Sequence, residues 1–328
     1  MNDSDANNVL TDLQHGFLKA RSCETQVITT IHDLASNLDN NIQTDLQILD
    51  FSKAFDTVPH KRLSLKLNLY GIRGPLLKWI ECFLTNRSQS VVLNGYSSTS
   101  IPVLSGVPQG TVLGPLLFLI YINDLPNQIS SQIRLFADDC ILYRQIYSIN
   151  DCNILQNDLL KLQSWQDKWL LKFNSAKCHT MAITTKRSPT HFSYHLNNSV
   201  LSRVSSTPYL GVTITNNLCW KDHIHSIASK ARRLLGILQR NLHSCSQGVK
   251  DIAFKTIVLP SIEYCSSVWD PFHHKFKDEL EMVQRRGARF VFNTYDRHSS
   301  VTTTLNIFKW PSLKTRRHSN ILSLFSKL

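Results

Sequence analysis

Two adjacent aspartates stand inside an apolar stretch of the chain, Ile133-Arg134-Leu135-Phe136-Ala137-Asp138-Asp139-Cys140-Ile141-Leu142-Tyr143. Buried carboxylates are costly to ionise unless a positive charge faces them. Because neighbouring residues of a strand point to opposite faces, Asp138 and Asp139 can serve one site only if the chain turns there. The stretch therefore predicts a strand, a tight turn and a second strand that together present two carboxylates to a divalent metal.

A third carboxylate, Asp50, ends the apolar run Leu46-Gln47-Ile48-Leu49, which we expect to be a short strand. Three aspartates at strand ends are the set that two-metal phosphoryl transfer requires. A lone aspartate in such a place is more often a turn former, and an ordinary polar turn at Asp138-Asp139 stays open from the residues alone. Taken together, the three carboxylates favour a nucleic-acid polymerase.

The positive charge of the chain is concentrated in its last third. The 328 residues carry a formal net charge of +12. Lys and Arg outnumber Asp and Glu by 2 in residues 1–220 and by 10 in residues 221–328. In the last third the basic residues alternate with apolar residues at helical spacing. This pattern favours folded helices that present a basic side to phosphates, with an ordinary solvated face as the alternative. The hydrophobic content of 42% excludes a disordered chain.

Cysteine spacing and apolar runs suggest the cellular compartment. The eight cysteines include no C-x-x-C pair and no cluster with zinc spacing, so we expect reduced thiols and no disulfide-linked partner. We see no signal peptide, and Gly114-Pro115 interrupts the longest apolar run, Val112–Ile122, which is too short to cross a bilayer. We expect an intracellular protein with no membrane partner. The choice between nucleus and cytoplasm stays open, as does the oligomeric state.

Apolar spacing and turn residues predict an α+β domain followed by a helical one, with a soft boundary between residues 215 and 222. The predicted helices are residues 25–38, 75–84, 113–122 and 151–170, and everything from about residue 221. The predicted strands are residues 46–50, 177–184 and 209–215, the two flanks of Asp138-Asp139, and a hairpin at Asn94-Gly95 between residues 89–93 and 96–103.

Three motifs, in this order, resemble the reverse transcriptase of non-LTR retrotransposons of the jockey and chicken-repeat type. They are Leu49-Asp50-Phe51-Ser52-Lys53-Ala54-Phe55-Asp56-Thr57-Val58, Ser105–Pro115 and Phe136–Asp139. Weaker matches extend the resemblance to nearly the whole chain. They are Gln14-His15-Gly16-Phe17 with Arg21-Ser22, Leu170–Lys177, Tyr209-Leu210-Gly211-Val212, Ile262-Glu263-Tyr264 with Val268-Trp269-Asp270-Pro271, and Val283-Gln284-Arg285-Arg286.

The resemblance implies a right-hand polymerase, which is an α+β fold with an antiparallel palm sheet backed by helices. It places partial fingers in residues 1–45, a palm with inserted fingers elements in residues 46–217, and a basic helical thumb in residues 218–328. Elements of this family usually have an endonuclease domain and a fingers extension upstream. We therefore expect the chain to be an N-terminally truncated copy.

The resemblance also implies a catalytic set. Asp50 and Asp138 would be the principal ligands of two Mg²⁺ ions, with Mn²⁺ as a possible substitute, and Asp139 would complete the triad. The carbonyl oxygen of Phe51 could add a ligand. Lys177 would protonate the leaving pyrophosphate as general acid, although an ordinary surface lysine fits that position about as well.

For the incoming nucleotide, the resemblance implies a bulky gate against ribose at Phe55, which could also be plain core. Gln109 and Gly110 would contact the nucleotide, and Arg21 would hold its triphosphate. The family often has an arginine where Leu18 stands, and Lys19 could compensate for it. We expect Asp56 to cap the helix after Val58-Pro59.

For the nucleic acid, the resemblance implies a primer grip at Tyr209, Leu210 and Gly211. The thumb would contact the backbone of the template–primer duplex through basic side chains. These are Arg232, Arg233, Arg240, Arg285, Arg286 and Arg289.

The implied activity is that of an RNA-directed DNA polymerase, with an RNA template, a DNA primer and dNTPs as partners and substrates. The first alternative is a truncated relic that still binds nucleic acid but is inactive. The second is a metal-dependent phosphohydrolase that uses the same carboxylates, although the chain has no G-x-x-x-x-G-K-[ST] loop.

Overall fold

The computed structural model describes residues 9–295, 303, 305–306 and 309–325. These residues form two compact units. The first extends to Gln26 and from His32 to Ser205, and the second comprises Val27–Ile31 and the chain from Ser206 onward. The helices in the described part of the chain contain no segment that is long and apolar enough to span a membrane.

A five-stranded sheet is the centre of the first unit, with its strands side by side in the order 202–203, 179–183, 43–49, 139–146 and 132–136. Its strands are β1 (Gln43–Leu49), β6 (Gln132–Phe136), β7 (Asp139–Ile146), β8 (His179–Ile183) and β11 (Ser202–Arg203). The pairs β1–β7, β1–β8 and β6–β7 are antiparallel, as expected for a palm, whereas β11 lies parallel to β8. The α+β class is confirmed, with a mixed rather than a purely antiparallel sheet.

Helices pack with this sheet and form the core of the first unit, except that Val27–Ile31 of the first helix group with the second unit. They are α1 (Cys23–Asp39), α2 (Ala54–Thr57), α3 (His60–Leu69), α4 (Gly74–Leu84), α5 (Leu113–Ile122) and α6 (Ile149–Trp169). Helix α5 is apolar on every side, and seven of its ten residues are buried, which is the pattern of a central helix. Helix α6 contributes Leu155, Leu159 and Leu162 to the same core. The predicted helices are thus confirmed to within a few residues.

Short strand pairs complete the first unit. They are β2 (Ser88–Gln89) with β5 (Ile101–Pro102), β3 (Val92–Leu93) with β4 (Tyr96–Ser97), and β9 (His195–Leu196) with β10 (Ser199–Val200). The predicted hairpin at Asn94-Gly95 is confirmed, because both residues have positive φ angles, 50° and 83°. The strand pairing of this hairpin is interrupted between β2 and β3 on one side and between β4 and β5 on the other.

Strand β1 begins three residues before the predicted start at Leu46. Gln43, Thr44 and Asp45 are polar, yet all three are buried. Hydrogen bonds satisfy them: the Tyr194 hydroxyl donates to Asp45 Oδ2 over 2.8 Å, and Gln43 Nε2 donates to Asp45 Oδ1 over 2.8 Å. A prediction based on apolar runs ends where these polar residues begin, because it cannot foresee their buried partners.

Lys66 of α3 is a buried cation inside a ring of aromatic side chains. Its ammonium lies 3.9 Å from the ring centroid of Trp169, 4.7 Å from Trp165 and 5.0 Å from Tyr121. It also donates hydrogen bonds to the Tyr121 carbonyl and to the Asp124 carboxylate. Burial lowers the pKa of Lys66 to about 8. The contacts join α3, α5 and α6 in the core behind the sheet.

The second unit combines a small hairpin with helices. The hairpin pairs β12 (Ser206–Tyr209) with β13 (Val212–Thr215). The helices are α7 (Lys221–Asn241), α8 (Gln247–Ala253), a π-helical turn (Phe254–Val258), α9 (Leu259–Glu263), α10 (Ser266–Trp269), α11 (His274–Phe292) and α12 (Leu313–Phe325). The expected helical region after residue 221 is confirmed for the described residues.

Two sequence expectations differ from this architecture. The single strand predicted over residues 209–215 is wrong, since Leu210 and Gly211 adopt positive φ angles of 45° and 80° and fold the segment into the β12–β13 turn. The compact units separate at Ser205–Ser206, before the expected soft boundary, so the hairpin groups with the helices. The finer division into fingers, palm and thumb at residues 45 and 217 stays a prediction.

Candidate active site

Strand register brings the three aspartates to one edge of the sheet. Leu49, the last residue of β1, pairs with Cys140 of β7, so the next residue, Asp50, lies opposite Asp139. Residues directly opposite each other in an antiparallel pair point to the same face. Phe136 pairs with Asp139, which closes the two-residue turn Ala137-Asp138 between β6 and β7. The expected strand–turn–strand is therefore present, and its turn carries Asp138 beside the other two carboxylates.

The three carboxylates at this edge are close enough for their charges to influence the pKa values of Asp138 and Asp139. Burial, followed by the charges of Asp138 and Asp50, raises the pKa of Asp139 to about 6. Burial is also the main cause of the raised pKa of Asp138, and the charge of Asp50 adds to it. The cluster therefore carries negative charge that nearby cations do not fully balance, and a bound cation would stabilise its ionised form.

Lys177 is a cation in contact with this cluster. The backbone N–H of Asn174 donates to the Asp50 carbonyl over 2.7 Å, which fixes the loop after α6 against the end of β1. The N–H of Lys177 in turn donates to the Asn174 carbonyl over 2.9 Å. This turn places Lys177 Nζ 3.2 Å from Asp50 Oδ2, while the lysine side chain remains 68% exposed. Lys177 is thus beside the carboxylates and accessible from solvent.

The donor set of this edge fits a hard divalent cation. Carboxylate oxygens are the ligands that Mg²⁺ prefers, and Mg²⁺ is usually bound through one or two carboxylates together with water and substrate phosphates. Within the residues that the structure describes, no group of three or more His, Cys, Asp and Glu side chains is arranged to hold a metal ion by itself. Carboxylate donors bound to Mg²⁺ in this way leave ligand positions for water and substrate oxygens.

Phe55 and Gln109 lie on two segments that pack directly on each other. The N–H of Val107 donates to the Phe55 carbonyl over 2.8 Å, and Gln109 Nε2 donates to Asp56 Oδ1 over 2.8 Å. Asp56 thus pairs with Gln109. The expectation that Asp56 caps the following helix is wrong, because that helix has Pro59 at its N-cap and no side-chain capping bond.

The Phe55 ring is held in a defined orientation. It stacks on Phe118 with centroids 4.4 Å apart and meets Phe17 edge-on at 6.3 Å. Gly110 has a positive φ of 76°, and no atom of the described residues lies within 4 Å of where a Cβ would be, so the turn conformation itself accounts for the glycine. The loop of Gln109 and Gly110 is exposed to solvent.

The residues expected to hold the triphosphate have different surroundings. Arg21 donates to Asp12 Oδ1 over 2.9 Å and to the Gln14 carbonyl over 2.8 Å, so its guanidinium is occupied within its own segment. Lys19 is exposed. The Phe51 side chain is buried and stacks on Phe173 with centroids 4.3 Å apart, so only its backbone could serve a ligand.

The expected primer grip is the β12–β13 turn of the second unit. Tyr209 is buried, and the Tyr264 hydroxyl donates to the Leu210 carbonyl over 2.9 Å. A Cβ at Gly211 would lie 3.0 Å from Tyr264 Cε1. The segment Ile262-Glu263-Tyr264, to which the sequence alone assigns no role, therefore supports this turn.

The expected thumb arginines lie on α7 and α11 of the second unit. Arg232 is half-buried, and its guanidinium lies 3.5 Å from Glu279, an acceptor that His225 also contacts at 2.7 Å. The remaining five are exposed: Arg233, Arg240, Arg285, Arg286 and Arg289. These five are accessible to a polyanion.

Sequence reasoning assigned no role to Gln14. Its side chain is buried and bonds to the turn residue Ala137. The resemblance placed Gln14 inside a motif, but a polar residue between Leu13 and His15 gives no sign of a contact with a residue more than a hundred positions away.

Comparison with known proteins gives consistent matches. A family model described as "Reverse transcriptase (RNA-dependent DNA polymerase)" matches residues 1–214. The probable RNA-directed DNA polymerase from transposon X-element of Drosophila melanogaster is 25% identical over 88% of this chain and 32% of its own length. That of transposon BS from the same organism is 27% identical over 96% and 37%, and that of mobile element jockey from Drosophila funebris is 27% identical over 89% and 33%. The chain spans about a third of the length of these relatives.

Among solved structures, this chain is similar to telomerase from Candida tropicalis. The structure in complex with a TWJ fragment of telomeric RNA matches with a TM-score of 0.45 and 10% identity, over 93% of this chain and 52% of that chain.

Proposed function

The chain belongs to the reverse transcriptase family, as its motifs predicted, and we propose that it copies an RNA template by adding deoxynucleotides to the 3′-hydroxyl of a DNA primer. The observation that carries the proposal is the carboxylate edge, where the β1–β7 register sets Asp50 opposite Asp139 and the turn adds Asp138. The raised pKa values of Asp138 and Asp139 support a site that works with bound cations.

Members of this family use divalent metal ions. We propose that Asp50 and Asp138 hold two Mg²⁺ ions, for which Mn²⁺ can substitute, with Asp139 and the Phe51 carbonyl as further oxygen donors. Bound ions would lower the pKa of the primer hydroxyl and neutralise charge on the leaving pyrophosphate. The part of the protein is to hold the three carboxylates at one sheet edge, where bound cations would stabilise their ionised form.

Lys177 would act as the proton donor to the leaving pyrophosphate. Its ammonium is within 3.2 Å of Asp50 and largely exposed, so it can turn from the carboxylate toward a bound phosphate. Its attraction to Asp50 would keep it at the site between turnovers.

The nucleotide would lie against the packed segments of Phe55 and Gln109. The stacked Phe55 ring would exclude a 2′-hydroxyl, and Gln109, Gly110, Arg21 and Lys19 would contact the base or phosphates. Arg21 would have to exchange its bonds with Asp12 for bonds to phosphate. In the second unit, Tyr209, Leu210 and Gly211 would hold the primer end, and the thumb arginines would contact the duplex backbone.

A primer-extension assay on poly(rA)·oligo(dT) with dTTP and Mg²⁺ tests the proposal. Asp138→Asn removes one ionised ligand without changing the shape of the side chain, so we expect incorporation to be lost. The matched control is Asp39→Asn, the same change at an exposed position near the end of α1, and it should leave incorporation unchanged.

The outcomes separate the alternatives. Binding of the RNA–DNA hybrid by the parent chain without incorporation would support the inactive relic. Hydrolysis of dTTP in the absence of primer would support a phosphohydrolase. Incorporation that survives Asp138→Asn would exclude the carboxylate edge as the polymerase site.

A further inference from the structure

We propose that Gln14 is a positioning residue for the catalytic carboxylates, because its buried amide holds the turn Ala137-Asp138 in shape. The proposal rests on the function proposed above and adds to it a residue outside the three main motifs. The Gln14 amide bonds to the backbone of the turn, and it would act through that backbone.

Both the oxygen and the nitrogen of the Gln14 side-chain amide contact the turn. Gln14 is 2% exposed, and its Oε1 accepts hydrogen bonds from the N–H of Ala137 over 2.8 Å and from the N–H of Gly16 over 2.7 Å. Its Nε2 donates a longer bond, 3.4 Å, to the Ala137 carbonyl. The side chain therefore bonds to the N–H and the carbonyl of the same turn residue.

Backbone bonds fix Gln14 in place. The N–H of His15 donates to the Leu135 carbonyl over 2.9 Å, and the N–H of Leu135 donates to the Leu13 carbonyl over 2.9 Å. These bonds form a short parallel bridge between Gln14 and the end of β6. Arg21 adds a bond to the Gln14 carbonyl over 2.8 Å. The amide thus approaches the turn from a fixed position.

The turn needs such support because its conformation is unfavourable. Ala137 has a φ of 50°, a left-handed conformation in which the alanine Cβ crowds the backbone. The close packing of Gly16 on the same residue adds a second restraint, since a Cβ at Gly16 would lie 2.4 Å from the Ala137 nitrogen. Without the amide, Ala137 can relax toward negative φ, and Asp138 and Asp139 would then move with it.

The effect of such a movement falls on catalysis more than on substrate binding. A misplacement of about 1 Å in a reacting constellation can cost on the order of 100-fold in rate. The nucleotide contacts at Phe55 and Gln109 lie on other segments, and Arg21 bonds to the backbone carbonyl of Gln14, which a side-chain substitution keeps. Loss of Gln14 should therefore lower kcat and leave the KM for dNTP nearly unchanged.

The test compares Gln14→Leu with Gln43→Leu. Gln43 is also a buried glutamine whose amide bonds at both ends, to Asp45 and Thr190, but it lies at the opposite end of β1. In the parent protein we expect Mg²⁺ to raise the melting temperature. We expect Gln14→Leu to lower kcat by about 100-fold and to lose this rise. Gln43→Leu should lower the melting temperature and keep both the parent kcat and the Mg²⁺ effect.

Parent-like kcat and a parent-like Mg²⁺ shift in folded Gln14→Leu would overturn the proposal. If that variant does not fold, Gly16→Ala perturbs the same contact from the other side and should show the same loss of kcat. Hydrogen exchange in the parent protein decides independently of any variant. We expect the Ala137 amide to be as protected from exchange as the β6–β7 ladder amides. Rapid exchange would contradict a stable hydrogen bond from this amide to Gln14. If the parent lacks incorporation, the proposed function fails, while the exchange and Mg²⁺ measurements still decide the role of Gln14.

Discussion

Single residues at the carboxylate edge are needed by the site but reduce the stability of the folded protein. Asp139 has a raised pKa because burial and two neighbouring carboxylates disfavour its ionised form. At neutral pH the folded protein must nevertheless keep it ionised if it is to bind a cation. A residue placed in this way should reduce stability whenever no cation is present.

The first prediction concerns Asp139→Asn in the presence of EDTA. The folded pKa of Asp139 lies above the unfolded one, so its contribution to stability is present at low pH and is lost as the pH rises through about 6. The variant should therefore melt at a higher temperature than the parent at pH 7.5 and at about the same temperature at pH 4. Differential scanning calorimetry at both pH values measures this. An equal difference for Asp39→Asn, or none at pH 7.5, would contradict it.

The second prediction concerns the aromatic ring of Phe55. Phe55→Val keeps an apolar side chain but removes the ring that stacks on Phe118. We expect the variant to incorporate rTTP as well as dTTP, because the space for a 2′-hydroxyl becomes available, and to lose some stability from the smaller core. The ratio of kcat/KM for the two nucleotides is the measurement. Discrimination that stays at the parent value would show that Phe55 is only a core residue.

At the scale of elements, the hairpin of β6 and β7 was predictable because its apolar flanks, its two-residue turn and its carboxylates all indicate the same structure. The β12–β13 hairpin was not predicted. Its apolar residues continue through the turn, and only Gly211 marks the break. The polar start of β1 was missed for a related reason, since Gln43 and Asp45 are buried through contacts with Thr190 and Tyr194 that lie far away in the sequence.

The third prediction concerns the β12–β13 turn. Gly211→Ala forces a side chain into a positive φ and brings its Cβ to 3.0 Å from the Tyr264 ring. We expect a higher KM for template–primer with little change in the KM for dNTP. The matched control is Gly95→Ala, where φ is also positive but no atom of the described residues lies within 4 Å of the added Cβ.

Both substitutions carry a backbone cost of about 1 kcal/mol, so a difference between them isolates the contact with Tyr264. Equal KM values for template–primer in the two variants would argue against a primer grip at this turn.

At the scale of the whole molecule, the excess of basic residues belongs to the second unit. This asymmetry was readable from the sequence because charge counts require no knowledge of contacts. The sequence did not reveal which of the cations are available: Arg232 is engaged by Glu279, whereas Arg285 and Arg286 are exposed on α11. The catalytic roles of the aspartates were inferred from the resemblance, whereas their proximity to one another follows from the strand register.

The fourth prediction concerns the salt dependence of binding to an RNA–DNA hybrid. Replacing Arg285 and Arg286 with Gln should weaken binding and reduce the slope of log K against log salt by up to about two, because each cation that neutralises a phosphate contributes about one. Lys186 and Arg187 are a matched pair of adjacent exposed cations in the first unit. Their replacement with Gln should leave the slope unchanged. Fluorescence anisotropy over a salt series measures both, and a parent slope in the α11 variant would exclude these arginines from the interface.

The ammonium of Lys66, enclosed by aromatic rings, determines the order in which Lys66 and Asp124 can be substituted during evolution. If Asp124 mutates first, the Lys66 charge remains enclosed by indole and phenol rings and keeps the Tyr121 carbonyl as an acceptor, which is a severe loss of stability. If Lys66 mutates first to an apolar residue, the remaining carboxylate is 28% exposed and can be hydrated. Neutral drift should therefore pass through the lysine before the aspartate, and related copies that lack only the aspartate should be rare.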